Sequence, residues 1–150
     1  MEKVLELRPH HILDMVRNIG NERPRVPHEY GHLVHTITDI IEEDTTRECR
    51  LVVRNDAVCG PCRMLRPDGS CADVLPQLET PVSKQAYNDG LDRKLLNYFG
   101  IEEETVMTIG DFLLLVKNRL DETAALCVHP KEDIGSRKNG LIRGMRKLGV

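Results

Sequence analysis

The sequence predicts a mainly α-helical single domain over residues 1–150, with a minor sheet of short strands and a cysteine-rich loop. Three observations predict this fold class. Apolar residues recur at helical spacing in several segments, the candidate strands are short, and one loop is rich in Gly, Pro and Asp. The chain has no Trp and only two Phe, so its core must be built from Leu, Ile, Val and Met.

The first third of the chain predicts a strand followed by two helices. Residues 3–7 alternate partly between apolar and polar side chains, which favours a short strand. Pro9 suits the first turn of a helix, which should run from His10 to Ile19 and stop at Gly20. A second helix is predicted from an apolar stripe made by Tyr30, Leu33, Val34, Ile37, Ile40 and Ile41.

The middle of the chain predicts one more strand and a third helix. Residues 51–53 are apolar and mostly β-branched, which favours a strand, and residues 72–78 predict a helical turn. Ser83 can cap a helix whose apolar face continues to Phe99. The sequence Asn88-Asp89-Gly90 is typical of a turn, so we expect it to interrupt this helix.

The C-terminal part predicts two further helices. Thr108 followed by Asp111 resembles a capping box, and it should open a helix through Leu120. A last short helix carries the apolar residues of 141–148. Its basic side chains predict a solvated helix face, and they are Arg137, Lys138, Arg143, Arg146 and Lys147.

Composition and charge exclude several classes of protein. The net charge of −3 argues against a nucleic-acid binder, which needs a basic surplus for its phosphate contacts. No apolar stretch reaches the roughly 18 residues needed to span a bilayer, so no membrane segment is expected. The first residues lack the basic start and apolar run of a signal peptide. We therefore expect a cytoplasmic protein whose thiols are kept reduced.

Three of the five cysteines lie in one loop. Cys59-x2-Cys62 puts two thiols on a tight turn, and Cys71 follows after eight residues. Thiolates suit Zn²⁺ or the iron of an iron–sulphur cluster, because soft ligands prefer soft or borderline metals. An odd number of cysteines in a reducing compartment indicates metal binding or catalysis rather than disulfides. The spacing matches neither standard ferredoxin pattern, so it does not separate zinc from iron–sulphur.

A four-coordinate site needs another ligand from elsewhere in the chain. Cys127 is the first choice, because it lies at a break between predicted helices. Cys49 is the rival candidate, and His129 stands behind it. The competing interpretation is that these are ordinary buried thiols, since free cysteine is among the most buried residue types.

The tetrapeptide Cys59-Gly60-Pro61-Cys62 also occurs in the thioredoxin active site, which makes a thiol–disulfide oxidoreductase an alternative. In that site the first cysteine opens a long helix, whose dipole lowers the thiol pKa. Here Pro67-Asp68-Gly69 stops any helix soon after Cys62. The context therefore disfavours this alternative.

The histidines supply further candidate sites. His28-Glu29-Tyr30-Gly31-His32 matches H-E-x-x-H, in which two histidines bind zinc and the glutamate acts as the base of a hydrolase. On a helix His28 and His32 would share the polar face. His10 and His11 follow Pro9 at a helix N-terminus, where they suit an anion or a place in the metal shell.

At Leu7-Arg8-Pro9-His10-His11-Ile12-Leu13 and the cysteine loop, the chain resembles a small family of bacterial and archaeal proteins. The family has about this length, is classed as a domain of unknown function, and is thought to bind iron–sulphur. The resemblance implies that Cys59, Cys62 and Cys71 are cluster ligands, with Cys127 as the fourth. Many members have a cysteine where this chain has Asp14, and a second cysteine pair where it has Cys127 alone.

The leading hypothesis is an iron–sulphur protein, with a 4Fe-4S cluster favoured over 2Fe-2S. Its partners would be a redox protein or a small anionic ligand. A structural zinc module is the alternative, and the dithiol oxidoreductase and zinc hydrolase follow. The reaction, and whether the protein is an enzyme at all, stay open at this point.

Overall fold

A computed structural model describes residues 4–27, 31–59, 62, 64–68, 71–72, 74–75, 82–128 and 132–150. Within these residues the chain forms six helices, a three-stranded sheet and a separate two-stranded ribbon. The predicted fold class, mainly α with a minor sheet of short strands, is confirmed. Among the described residues, helices long and apolar enough to cross a membrane are absent.

The strands are short and pair across long stretches of sequence. They are β1 (Leu5–Leu7), β2 (Glu48–Leu51), β3 (Val74–Leu75), β4 (Val82–Ser83) and β5 (Val106–Thr108). In the larger sheet β2 lies centrally, parallel to β1 and antiparallel to β5. Strands β3 and β4 form the antiparallel ribbon. Val74–Leu75 is therefore a strand, and the helical turn predicted for 72–78 is wrong at these residues.

The helices are α1 (Pro9–Gly20), α2 (Val34–Glu43), α3 (Lys84–Phe99), α4 (Ile109–Asn118), α5 (Leu120–Cys127) and α6 (Ile134–Lys147). Several caps follow the sequence signals. The Thr108 hydroxyl accepts from the Asp111 N–H at 3.0 Å, and Gly100 ends α3 in the left-handed conformation. The helix predicted through Leu120 is two helices, α4 and α5, which join at Arg119.

Two helices differ from the prediction for identifiable reasons. Gly31 has a φ of 81°, and α2 begins only at Val34, so residues 31–33 of the predicted second helix are not helical, while Tyr30 lies outside the described residues. Helix α3 runs without interruption through Asn88-Asp89-Gly90. Asp89 does not form a local turn here, because its carboxylate pairs with Arg8 on another element.

Helices α1 and α6 pack so closely that their backbones touch. A Cβ placed on Gly20 would lie 1.8 Å from the Gly140 carbonyl oxygen, and one on Gly144 would lie 2.1 Å from the Val16 carbonyl oxygen. Glycine is required at both contacts, because any larger residue would push the helices apart. This contact fixes the C-terminal half of α1 against the last helix.

Among the basic residues of α6, Arg143, Arg146 and Lys147 are exposed, as a solvated helix face requires, and Lys138 is of intermediate exposure, whereas Arg137 departs from the prediction because it is buried. Arg137 is only 3% exposed, and it donates to Asp14 at 2.8 Å and to Glu132 at 2.5 Å. Arg143 donates to the Gly20 carbonyl oxygen at the end of α1. Arg137 and Arg143 thus bind α1, and Arg137 also binds the loop before α6, so both contribute to the packing of α6.

Candidate metal centre

The three cysteines of the loop line one cavity. Its volume is about 300 Å³, and its wall includes Cys59, Cys62 and Cys71 together with His11 and His32. All three cysteines are free thiols of intermediate exposure. The sequence placed the thiols near one another, and the structure adds two imidazoles from α1 and from the segment before α2.

The loop backbone brings Cys71 back beside the first two cysteines. Successive turns form as the Cys62 N–H donates to the Cys59 carbonyl and the Leu65 N–H donates to the Cys62 carbonyl, each at 3.0 Å. Leu65 and Cys71 then form an antiparallel bridge. The bridge brings Cys71 back beside Leu65, which follows Cys62 by three positions, so that the third thiol reaches the same cavity.

Asp56 connects this loop to helix α1. One carboxylate oxygen accepts from the Arg8 N–H at 2.7 Å and contacts the His11 Nδ1 at 2.8 Å. The other accepts from the Val58 N–H at 3.0 Å, and the Asp56 carbonyl accepts from the Cys59 N–H. Asp56 is buried. Through these contacts it holds both His11 and Cys59.

A second buried carboxylate orders the start of α1. Arg8 and Asp92 are both 0% exposed, and the guanidinium donates to Asp92 at 2.9 Å and to Asp89 at 2.8 Å. Asp92 also accepts from the His10 N–H at 2.9 Å and contacts the His10 Nδ1 at 2.8 Å. The Arg8-Pro9-His10-His11 sequence thus makes two His–Asp pairs. Of the two histidines, His11 is part of the described cavity wall.

Electrostatics favour ionised forms of the His11–Asp56 pair. Burial alone would lower the pKa of His11, but the charges of Asp56, Asp92 and Asp14 outweigh it, and the pKa is raised. Burial would likewise raise the pKa of Asp56, yet the contacts with His11 and Arg8 lower it. By contrast, burial and the nearby Asp56 raise the pKa of the Cys59 thiol to about 12. A metal binding there must displace the thiol proton.

The two remaining cysteines lie elsewhere. Cys49 is 0% exposed in the central strand β2, and burial raises its pKa to about 12. Cys127 ends α5, and its sulphur lies 3.3 Å from the Arg137 Nη1. Burial raises the pKa of Cys127 to about 11, although Arg137 acts in the opposite direction. Neither cysteine belongs to the described wall of the cavity.

The cysteines and histidines of the cavity wall are the donor types of a thiolate metal centre. Across the described parts of the chain, no three His, Cys, Asp or Glu side chains already stand together as a metal-binding group. The chemistry of the wall nevertheless fits, because soft thiols and imidazoles share one partly enclosed space with the apolar Met15, Val34, Val58 and Met64. Ligation would require these side chains to turn toward a common point.

The other sequence-based candidates have mixed outcomes. His32 precedes α2 and is not helical, so the helical H-E-x-x-H geometry is wrong at that residue. His28 and Glu29 lie outside the described residues, as does His129. For the dithiol alternative, the described residues after Cys62 form turns and a bridge rather than a helix. With a raised pKa, Cys59 also lacks the thiolate character that a redox dithiol needs.

Sequence reasoning missed the acidic residues that organise the site. Neither Asp56 nor Asp92 was among the candidates that the sequence predicted. The available signal was the run Arg8-Pro9-His10-His11 itself, since a buried arginine and two histidines at a helix start call for carboxylate partners.

Comparison with protein-family models, curated proteins and solved structures found no match to this chain.

Proposed function

We propose that this protein holds an iron–sulphur cluster on Cys59, Cys62 and Cys71, with 4Fe-4S favoured over 2Fe-2S. The observation that carries the proposal is that three loop thiols and two imidazoles line one cavity. Cysteine thiolates are the ligands of such clusters. When bound, the cluster supplies one-electron transfer or a Lewis-acidic iron.

The cavity volume supports a cluster over a bare ion. A space of about 300 Å³ is roughly ten times the volume of one water molecule in the liquid. A structural zinc site is instead closed by four protein ligands packed directly around the ion. The surplus space suits a larger inorganic group, with a small molecule beside it.

The residues of the wall have separable roles in this proposal. The three thiols would hold the cluster, and the apolar side chains beside them would limit the access of water, which tunes the potential of a cluster. Lys84, Arg17 and Asp14 also line the cavity, and Arg17 is paired with Glu132 at 2.6 Å. The small anionic ligand expected from the sequence stays part of this proposal. The five free thiols agree with a cytoplasmic protein, which we also propose.

The test is anaerobic purification followed by a visible spectrum and by analysis for iron, acid-labile sulphide and zinc. We expect a brown protein with iron and sulphide in equal amounts, and chemical reconstitution should restore them to material that lost its cluster in air. A colourless protein that refuses reconstitution and holds about one equivalent of zinc would establish the structural zinc module instead.

A further inference from the structure

We propose that His11 supplies the fourth protein ligand of the centre through its Nε2, and that Asp56 positions it. This inference rests on the proposed function, since it names the ligand that completes the three thiolates. It replaces Cys127, which the sequence favoured for that role.

The position of His11 is fixed by helix α1. His11 lies in the first turn of that helix, two residues after Pro9, and its side chain is part of the cavity wall together with Cys59, Cys62 and Cys71. The glycine contact with α6 holds the other end of the same helix. The imidazole is therefore carried by a helix whose other end is packed directly against α6.

The contact with Asp56 determines which ring nitrogen can bind a metal. A carboxylate only accepts hydrogen bonds, so the Nδ1 of His11 carries the hydrogen that points to Asp56 at 2.8 Å. The raised pKa of His11 favours a ring protonated at both nitrogens, so a metal must displace the Nε2 proton, and the lone pair that ligates is then on Nε2. Metal-binding histidines characteristically donate their second nitrogen to a carboxylate in this way.

Asp56 also sets the distance between the histidine and the cysteines. It binds His11 through one oxygen and the Val58 N–H through the other, directly before Cys59. The carboxylate therefore links the imidazole on α1 to the backbone that leads into Cys59. Asp56 touches no bound group in this proposal, so it is a positioning residue.

The other candidates fit the fourth position less well. Cys127 contacts Arg137, and Cys49 lies inside the sheet. The Nδ1 of His10 is directed to Asp92. His32 does line the cavity, but its Nδ1 accepts from the Val34 N–H at 3.4 Å, so a neutral ring carries its hydrogen on Nε2 and cannot ligate through that atom.

The experiment uses the full chain, produced with ¹⁵N-histidine or with natural histidine and reconstituted anaerobically with iron and sulphide. Pulsed electron paramagnetic resonance of the reduced cluster measures nitrogen hyperfine coupling. We expect a strong coupling that changes on isotope labelling, is absent in H11A, and persists in the matched control H32A. D56N should keep the cluster but weaken or shift this coupling, because an amide orients the ring less firmly.

The variant H11C covers the case in which H11A cannot hold the cluster. A cysteine at this position should restore iron uptake while the histidine coupling stays absent. If the wild type takes up iron and sulphide but shows no coupling to labelled histidine, or if the coupling survives in H11A or H11C, the assignment of His11 is wrong. Failure of the wild type to take up any cluster would instead overturn the proposed function.

Discussion

The cysteines of the loop and the two remaining cysteines differ in what surrounds each sulphur. Cys59, Cys62 and Cys71 lie on a cavity wall beside imidazoles. Cys49 lies among core side chains, and Cys127 lies against a buried guanidinium. The comparison teaches that a raised pKa does not separate the two groups, because the pKa is raised at Cys59 as well as at Cys49 and Cys127. The two groups differ in that the loop cysteines line the cavity, whereas Cys49 and Cys127 are not part of its described wall.

The largest effect should come from removing a loop thiol. C59S should lower the bound iron at least roughly tenfold, since a hydroxyl is a poor ligand for cluster iron. C49A is the matched control, because it removes a thiol of similarly raised pKa from outside the cavity. Iron and sulphide analysis after identical reconstitution measures the effect. Equal losses in both variants would erase the distinction between the two groups of cysteines.

Thiol reactivity in the metal-free protein should sharpen the comparison next. Cys62 and Cys71 are of intermediate exposure, whereas Cys49 is 0% and Cys127 is 3% exposed. Alkylation of the buried pair requires local opening of the structure, so we expect it to be slower by roughly tenfold or more. Peptide mapping by mass spectrometry after timed exposure to iodoacetamide gives the rates. A fast reaction at Cys127 would show that its burial beside Arg137 is not maintained in solution.

The free energy of unfolding should depend more on Cys49 than on a loop cysteine, which is the reverse of the order expected for iron binding. C49S places a hydroxyl in the central strand and should lower the unfolding free energy by about 1–3 kcal/mol. C71S, at a half-buried loop position, should change the stability of the metal-free protein by less than about 0.5 kcal/mol. Urea unfolding followed by circular dichroism measures both. A larger cost for C71S would mean that the loop thiol serves the fold.

The smallest change in iron content should follow substitution near Cys127. R137M removes the guanidinium from the Cys127 sulphur and from Asp14, and it should lower the unfolding free energy by about 1–3 kcal/mol. Its iron content should equal that of the wild type, because the proposed ligands lie elsewhere. Reconstitution followed by iron analysis tests this, with K138A as a control on the same helix. Loss of the cluster in R137M alone would return Cys127 to the ligand set.

Much of the fold followed from local signals in the sequence. Pro9 and Gly20 mark the ends of α1, and Thr108 caps α4 as its pattern predicted. One failure occurred where a long-range partner overrides local preference. Asp89 sits in a sequence typical of turns, yet Arg8 holds its carboxylate from another element while α3 continues past it.

The candidate site was predictable in part. The spacing of Cys59, Cys62 and Cys71 predicted one cysteine-rich loop, and the bridge between Leu65 and Cys71 brings the third thiol to the cavity. The roles of Asp56 and Arg137 were not predictable from spacing, since each acts on a residue more than forty positions away. Charge counting alone placed Arg137 on a solvated face, and its burial is explained by its partners Asp14 and Glu132.

The glycine contact between α1 and α6 has a consequence for the order in which the protein is made. The two helices touch although Ile19 and Lys147 stand 128 positions apart in the chain. On the ribosome, α1 is synthesised long before the surface against which it packs, so its docking is a late step dominated by long-range contacts. We therefore expect the cavity to mature, and any inorganic group to be inserted, only after translation of α6 is complete.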